Sequence, residues 1–368
     1  MAYDGSVKVL DQTSGDWWQL WNGDSTEIMN GIPDNSVHFS VWSPPFASLY
    51  TFSDSTRDVS NNQDDAVFWA HYRYILEGVY RILKPGRLIS IHCMDLPTSI
   101  TRDGFIGMRD FPGDNIRLCQ EVGFIYHSRV CIRKDPVSAM QRTKAIGLLH
   151  KQMVKDSALS RMAIADYIVT LRKPGNNDEP VSGIFETYHG DDMTDAEFTK
   201  DVRRNFTGED VSDETAAAYA EEWGITKSPK EAAAEVRTRI AESRGVRTFE
   251  QHKSIMIWQR YAEPIWMDIV QGDVLSHRVA REEADERHIS PLQLTAVRRC
   301  VQTWTNPGDI VFSPFAGIGT AGYVAIEMGR RFVGAELKPS YWRQAVDNLG
   351  LAERERGRVD LFGPVAPL

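Results

Sequence analysis

The 368-residue chain has 42% hydrophobic, 25% charged and 10% aromatic residues, enough for one large or two moderate domains with a sizeable core, which excludes global disorder. No run approaches the roughly 18 apolar residues of a membrane helix, and residues 1–12 lack the basic and apolar regions of a signal peptide, so we expect a soluble cytoplasmic protein. The formal net charge of -9 argues against a phosphate-rich partner, unless basic residues concentrate in one region.

Strand and helix patterns alternate in the first part of the chain. Val37–Trp42 is a short β-type run that stops at Ser43-Pro44-Pro45, because proline cannot donate a ladder hydrogen bond. Apolar residues at helical spacing predict a helix from Ala66 to Leu83, a break at Pro85-Gly86, and then a buried strand over Arg87–Cys93. The pattern indicates a helix-to-strand unit.

The middle of the chain carries two stretches of opposite charge. Residues 129–173 contain 10 basic and 3 acidic residues, so a polyanion could dock there, with a solvated basic surface as the equal alternative. Residues 186–243 contain 15 acidic and 7 basic residues. Thr194-Asp-Ala-Glu197 and Ser228-Pro-Lys-Glu231 match the capping box that starts helices. We therefore predict a mostly helical insertion over residues 176–250.

The alternation of strand and helix returns near the end of the chain. Asp309–Phe312 predicts a strand, followed by a glycine-bearing turn, an apolar helix from about Thr320 to Met328 and a strand over Arg331–Glu336. Such alternation predicts a mainly parallel sheet covered on both faces, with ligands beyond the carboxyl ends of the strands. The four scattered cysteines lack C-x-x-C spacing and predict buried thiols.

Two loops are candidates for chemistry. Gly317 and Gly319 would let a ligand approach the backbone, and Glu336 at the next strand end is placed to accept hydrogen bonds from ribose hydroxyls. Alone, this G-x-G pattern more often marks a tight turn. Ser43-Pro44-Pro45-Phe46 offers a hydroxyl, carbonyl groups free of the ladder and a flat ring, which suit a planar base with an exocyclic amino group. Alone, the tetrapeptide favours a rigid turn with a core phenylalanine.

In combination, the loops resemble the β class of DNA amino-methyltransferases, which move a methyl group from S-adenosylmethionine to cytosine N4 or adenine N6. The resemblance covers residues 20–175 and 255–350 and is closest to enzymes of phages and prophages. Its motifs, with the catalytic motif first and the cofactor motif last, are Gly23-Asp24-Ser25, Ile32–Val37, Val41–Phe46, Tyr80–Gly86, His288–Gln293, Asn306–Asp309, Ser313–Thr320 and Gly329–Glu336.

The resemblance implies the α/β fold of S-adenosylmethionine-dependent methyltransferases, which is Rossmann-like, with a mainly parallel seven-stranded sheet, a circularly permuted motif order and a helical insertion. We expect a catalytic half at residues 1–175, a helical insertion or target-recognition region at 176–287 and a cofactor-binding half at 288–368. The implied cofactor is S-adenosyl-L-methionine and the implied partner is double-stranded DNA, with no metal or membrane required. A homodimer is left open, because this class often pairs.

The resemblance also implies the site residues. A flipped base would be held by Ser43, Pro44, Pro45 and Phe46. The cofactor would be bound by Asp24, Ser313, Pro314, Phe315, Ala316, Gly317, Gly319, Thr320, Glu336, Leu337 and Lys338. DNA would be contacted by Arg57, Arg133, Lys134, Arg142, Lys144, Lys151 and Lys155, while side chains of the acidic insertion, with the loop at residues 53–62, approach the bases. Alternatively, the acidic helices contact a partner protein or a second subunit.

Ser313 and Ser43 set the remaining alternatives. The family usually carries Asp where Ser313 stands, which weakens or replaces one acceptor near the cofactor. The S-P-P-F form of the catalytic motif favours cytosine N4, although a hydroxyl and a proline carbonyl could hold either amino group. An RNA methyltransferase would use the same fold, and a non-catalytic DNA-binding protein would fit Ser313. His92 and Cys93, on a predicted buried strand, are interpreted as core residues rather than ligands.

Overall fold

The computed structural model of the chain describes residues 9–45, 65–98, 100–137, 150–159, 162–276 and 292–357. Two compact units emerge, one formed by Met1–Val181 with Pro264–Leu368 and the other by Ser182–Glu263. No helix in these ranges is long and apolar enough to cross a membrane.

A nine-stranded sheet organises the described residues of the first unit. With strands numbered along the chain, the spatial order is β1 (Asp11–Ser14), β2 (Trp18–Asn22), β11 (Arg331–Glu336), β10 (Ile310–Ser313), β3 (Val37–Trp42), β4 (Leu83–Met94), β8 (Asp166–Arg172), β7 (Ile125–Ile132) and β9 (Ile265–Trp266). Neighbours from β2 to β4 are all parallel, whereas β8 is antiparallel to both β4 and β7. The predicted mainly parallel α/β sheet is confirmed, and the short strands β1 and β9 extend the predicted seven strands at the two edges.

Helices cover the sheet on both faces. Those of the first unit are α1 (Ser25–Asn30), α2 (Asp65–Ile82), α3 (Ile100–Asp103), α4 (Phe111–Val122), α5 (His150–Lys155), α10 (Leu294–Trp304), α11 (Thr320–Glu327) and α12 (Pro339–Gly357), with a 3₁₀ turn at Ser157–Leu159 and a two-stranded sheet of β5 (Leu96–Pro97) and β6 (Met108–Arg109). Because side chains alternate along a strand, Trp42 and Ile91 pack in a cluster with α2 and α4, whereas Phe39 and Leu88 pack in a second cluster with α10, α11 and α12.

The strand β4 differs from its prediction at its start. Pro85-Gly86 does not precede the strand but lies within it, because β4 begins at Leu83. Its pairing with β3 shifts between Val37 and Phe39, so that an irregularity absorbs the extra residues, and Gly86 takes a φ of +74° there. The predicted break was therefore wrong, since a proline beside a bulge needs no ladder partner.

The second unit is helical. It contains α6 (Asp195–Thr207), α7 (Asp213–Glu222), α8 (Pro229–Arg244) and α9 (Phe249–Ala262). Both predicted capping boxes are present, and Thr248 with Gln251 forms a third. This unit ends at Glu263, and β9 pairs with β7 in the sheet of the first unit, so the described residues after 263 group with the sheet.

Candidate active site

The strands β3 and β10 form a topological switch point. They are parallel neighbours, but β3 leads through α2 to β4 on one side, whereas β10 leads through α11 to β11 on the other. Loops that diverge in this way leave a crevice beyond the carboxyl ends of the strands. The Ser40 hydroxyl donates to the Phe312 carbonyl at 2.9 Å across this junction, although the two residues are 272 positions apart. The predicted catalytic and cofactor loops therefore lie at one edge of the sheet.

The predicted catalytic loop is anchored to α2. Pro44 is buried, and Ser43 and Pro45 are half-buried at the end of β3; Phe46 lies outside the described residues. The preceding Trp42 indole donates to the Tyr72 hydroxyl at 3.0 Å, and burial raises the pKa of Tyr72 well above its usual value. The Tyr72 ring in turn stacks on Phe315 of the other loop, with centroids 6.4 Å apart. One tyrosine thus supports both loops.

Glu336 fixes the second loop with both carboxylate oxygens. The Gly317 amide donates to its Oε2 at 2.8 Å, and the Lys338 amide donates to its Oε1 at 2.9 Å. A carboxylate oxygen can accept more than one hydrogen bond, so Glu336 can also accept hydrogen bonds from ribose hydroxyls. Leu337 and the buried Lys338 follow at the end of β11.

The two glycines of the loop have different surroundings. Gly317 has a φ of +56°, and a Cβ placed on it would meet nothing within 4 Å. Gly319 has a φ of +89°, and a Cβ there would lie 3.2 Å from the Ala345 Cβ on α12. The open space at Gly317 suits a ligand close to the backbone, whereas Gly319 permits helix packing.

Ser313 supplies a polar atom without a partner. It is 1% exposed, and its hydroxyl has no hydrogen-bond partner among the described residues. A buried hydroxyl left unpaired is costly, so this position is suited to a polar ligand atom. With the open space at Gly317, the residues present fit a nucleoside-containing cofactor. The neighbouring loop residues Pro314, Ala316 and Thr320 complete the turn into α11.

Asp24 caps α1 at the end of β2. Its Oδ1 accepts the Thr26 amide at 2.9 Å and the Thr26 hydroxyl at 2.6 Å. The adjacent Gly23 amide donates to the Glu336 carbonyl at 3.0 Å, which places Asp24 beside the end of β11. A contact of Asp24 with the cofactor stays a prediction.

A family model for N6 and N4 enzymes, described as DNA methylase, matches residues 37–347. The chain belongs to this DNA methylase family. Its relatives include DNA adenine methyltransferase YhdJ of Escherichia coli (strain K12), 38% identical over 85 residues, which are 23% of this chain and 29% of that protein. Type II methyltransferase M.XycI of Xanthomonas campestris pv. cyanopsidis is 40% identical over 62 residues, 17% of this chain and 21% of that one. The matched stretches thus span less than a third of either relative.

Solved structures share the fold of this chain. PvuII DNA methyltransferase (cytosine-N4-specific) aligns with a TM-score of 0.53 and 14% identity over 95% of this chain and 96% of that one. TTHA0409 of Thermus thermophilus, a putative DNA modification methylase solved in complex with S-adenosyl-L-methionine, aligns with a TM-score of 0.51 and 21% identity over 90% of this chain and 94% of that one.

The predicted DNA-contacting residues differ in their exposure and pairing. Arg133, Lys151 and Lys155 are exposed. The Lys134 ammonium instead lies 2.5 Å from Asp166 Oδ1, with its side chain only 17% exposed, so a phosphate there would compete with a carboxylate. Three further predicted residues lie outside the described ranges: Arg57, Arg142 and Lys144.

Asp95 was missed in the sequence. It directly follows β4, at the same edge as the two loops. Burial, together with the nearby Asp110, raises the pKa of its carboxyl above the usual value. The sequence carried a signal for it, because a polar residue at the end of a buried parallel strand lies at the edge of the sheet where ligands bind in such folds.

At the opposite edge of the sheet, His38, Glu179 and Asp309 bring three ligand-type groups together. The His38 Nδ1 accepts the Ile310 amide at 3.0 Å, which leaves the proton on Nε2, 3.0 Å from Glu179 Oε2. Arg87 pairs with Asp309, and Lys84 lies 2.7 Å from Glu179. These pairings identify the cluster as an ion-pair network, since a metal would require the Nε2 proton to leave.

The second unit has a groove of its own. It measures about 560 Å³ and lies between α7 and α8. The Tyr219 and Trp223 rings in it stack with centroids 5.3 Å apart and are each more than a third exposed. Arg244 of the same groove is paired with Asp210 at 2.9 Å.

Proposed function

We propose that this DNA methylase transfers a methyl group from S-adenosyl-L-methionine to the exocyclic amino group of a base flipped out of duplex DNA, with cytosine N4 as the preferred acceptor. One observation carries the proposal: the Ser43-Pro44 loop and the Gly317 loop flank a single switch point at the carboxyl edge of the sheet. An amino group held by the first loop would face a cofactor held by the second.

Residues of the second loop would hold the cofactor. Glu336 accepts the ribose hydroxyls, Ser313 offers its unpaired hydroxyl, and Gly317 leaves room beside the backbone. The cofactor supplies a methyl group on a sulfonium, which is already activated for transfer. The protein therefore contributes mainly position and orientation.

Residues of the first loop would hold the base. The Ser43 hydroxyl and the Pro44 carbonyl accept the two amino hydrogens, which directs the nitrogen lone pair toward the methyl group. Phe46 would stack on the ring, which offsets part of the few kcal/mol that flipping a base costs. The hydroxyl of Ser43, in place of a carboxylate or amide, supports cytosine.

Adenine N6 is the second candidate acceptor. The relative from Escherichia coli is an adenine methyltransferase, whereas one structural neighbour is cytosine-N4-specific. A hydroxyl and a carbonyl accept hydrogens from either amino group.

Contacts to DNA would use exposed cations for the backbone. Arg133, Lys151 and Lys155 are suited to phosphate, and such contacts make binding weaken steeply as salt rises. The acidic second unit would approach bases through its aromatic groove or, alternatively, bind a partner protein.

Replacing Tyr219 and Trp223 by alanine distinguishes these two roles. A changed site preference in the methylation products would support target recognition; unchanged preference with lost association, measured by light scattering and pull-down, would support an interface. Trp258→Ala is the matched control, because Trp258 is an exposed aromatic residue of the same unit outside the groove.

The experiment that tests the proposed function is incubation of the protein with unmethylated duplex DNA and S-adenosyl-L-methionine, followed by mass spectrometry of the digested nucleosides. N4-methylcytosine is expected. N6-methyladenine would support the methyltransferase activity but show that adenine, and not cytosine, is the target base. If cofactor binds and neither product forms, an RNA substrate or a non-catalytic role replaces the proposal.

A further inference from the structure

A buried histidine stands beside the catalytic serine. In the pairing of β3 with β4, Trp42 lies opposite Ile91, so the register continued by one residue brings Ser43 beside His92. Phe39 and Leu88, an earlier pair of this register on the same side of the strands, pack in one cluster. Residues at even spacing share a face, and neighbouring strands are about 4.8 Å apart. Both side chains therefore belong to one face at the catalytic edge.

His92 is held by a charged pair from two further strands. Its Nε2 lies 3.3 Å from Asp166 Oδ2 at the start of β8, and Lys134, after β7, lies 2.5 Å from Asp166 Oδ1. Burial raises the pKa of Asp166, but His92 and Lys134 outweigh burial and keep it below its usual value. Asp166 is thus ionised, and an ionised carboxylate beside Nε2 favours the tautomer with the proton on that atom.

This tautomer leaves the lone pair of Nδ1 available. His92 is 7% exposed, and within the described part of the chain neither ring nitrogen forms a hydrogen bond: Nε2 lies at ion-pair distance from Asp166, whereas Nδ1 has no such neighbour. A core residue with only a packing role has no need of a buried, unpaired acceptor. No hydrogen bond between the described residues Ser43 and His92 is formed in this structure, as is common for catalytic groups before substrate binds.

The proposed reaction requires a proton acceptor at this position. As the amino nitrogen forms its bond to the methyl carbon, the carbon–sulfur bond breaks and its electron pair returns to sulfur. The nitrogen becomes positive and must lose one proton. A serine hydroxyl accepts that proton only if it passes its own proton on.

We propose that the His92 Nδ1 accepts a hydrogen bond from the Ser43 hydroxyl and so positions it. Through this hydroxyl, His92 receives the proton that the methylated amino group releases; this inference rests on the proposed function. Asp166 stabilises the resulting imidazolium, which later gives the proton to water. His92 is thus a positioning residue that acts through Ser43, and its interpretation as a core residue is replaced.

The first test replaces His92 by asparagine, whose amide lies near the position of Nδ1 but cannot take up a proton. The single-turnover rate of methyl transfer to genomic DNA free of N4-methylcytosine and N6-methyladenine should fall about 100-fold, the lower end of what a positioned proton acceptor contributes. The Kd for S-adenosyl-L-methionine, measured by calorimetry, should not change. Cys93→Ala, the next residue of β4 on its other face, is the control and should keep the wild-type rate. A wild-type rate in His92→Asn would overturn the inference.

The second test is chemical rescue, which a purely structural role would not show. Added imidazole should restore methyl transfer in His92→Ala, whereas pyrrole, which has the same shape but no basic nitrogen, should not. Equal rescue by both would show that only the cavity had to be filled, and would contradict the inference.

A third measurement needs no variant, in case both substitutions prevent folding. Wild-type single turnover should be slower in D₂O than in H₂O, because the relay moves two protons; equal rates contradict it. A wild-type protein that binds cofactor but methylates no DNA would overturn the proposed function itself. If the wild type is active and His92→Asn transfers methyl groups at the wild-type rate, only the proposed role of His92 would be overturned.

Discussion

At the scale of single residues, the two glycines of the predicted cofactor loop differ in what surrounds them. Gly317 faces open space, and Gly319 lies against Ala345. The sequence shows two equivalent glycines, because the distinction depends on where α12 returns to the loop.

We expect Gly317→Ala to weaken binding of S-adenosyl-L-methionine, measured by calorimetry, while a left-handed backbone costs only about 1 kcal/mol of unfolding free energy. Gly319→Ala should destabilise the protein more, because its Cβ would be 3.2 Å from that of Ala345. Gly308→Ala is the matched control: φ is +84°, a Cβ there meets nothing within 4 Å, and the residue precedes β10 at the opposite edge. Equal loss of cofactor affinity in Gly308→Ala and Gly317→Ala would contradict this assignment.

The double substitution of Pro44 and Pro45 by alanine should abolish methyl transfer and change the cofactor Kd less than about twofold. Alanine restores the backbone N–H and frees φ, so the carbonyls lose their fixed direction. Transfer is measured by nucleoside mass spectrometry and binding by calorimetry. Loss of both together would show that the loop supports the cofactor site as well.

At the scale of elements, local signals predicted those with clear apolar runs and breakers. The bounds of β3 and β11 were predicted to the residue, because prolines or polar residues end both runs. The strand β1 has no such signal: its sequence is polar, its residues are mostly exposed, and only its pairing with β2 makes it a strand. The irregularity in β4 also depends on a neighbouring strand.

A single substitution tests the N-terminal cap of α6. Thr194→Ala should lower the unfolding free energy of the second unit by about 1 kcal/mol, because the Glu197 amide loses its acceptor. Thr238→Ala, in the middle of α8, is the control; its hydroxyl only bonds back to the Ala234 carbonyl, so alanine should be nearly neutral. Denaturant unfolding followed by circular dichroism measures both, and equal effects would contradict the capping role.

At the scale of the whole molecule, the eight spaced motifs were enough to predict the fold and the position of the two loops, whereas the residues that support those loops were not predictable. Tyr72 joins both loops through packing, and His92 is placed beside Ser43 by strand register. Both relations link residues far apart in the chain. Sequence patterns carry no information on them until the order of the strands is known.

The ion-pair network at the amino edge should make the molecule sensitive to mild acid. Burial lowers the pKa of His38 below 6.5. The negative charge of Asp309 raises this pKa, whereas the positive charges of Lys84 and Arg87 lower it further. As pH falls through 6.5, this histidine takes up a proton in the unfolded chain before it does so in the folded protein. The unfolding free energy therefore decreases below that pH, by at most about 1.4 kcal/mol per pH unit for one group. Glu179 titrates at lower pH, because hydrogen bonds from Lys84 and His38 keep the pKa of its carboxyl below 4.5.

His38→Asn should reduce this pH dependence of the unfolding free energy between pH 6.5 and 5, because an asparagine oxygen can accept the Ile310 amide without titrating. His127 and His252, whose pKa values are also lowered by burial, should still contribute to the pH dependence of the unfolding free energy in this variant. An unaltered slope in urea unfolding would show that His38 makes no contribution.

The order of the strands has a consequence for synthesis on the ribosome. β2 and β3 are translated about 300 residues before β11 and β10, which lie between them in the sheet. Until then the nascent chain exposes two unpaired strand edges, which are prone to pair with other chains. The two predicted site loops therefore come together only after β10 and β11 have been translated, so a polypeptide terminated before β10 lacks the loop at Gly317 and leaves those edges open.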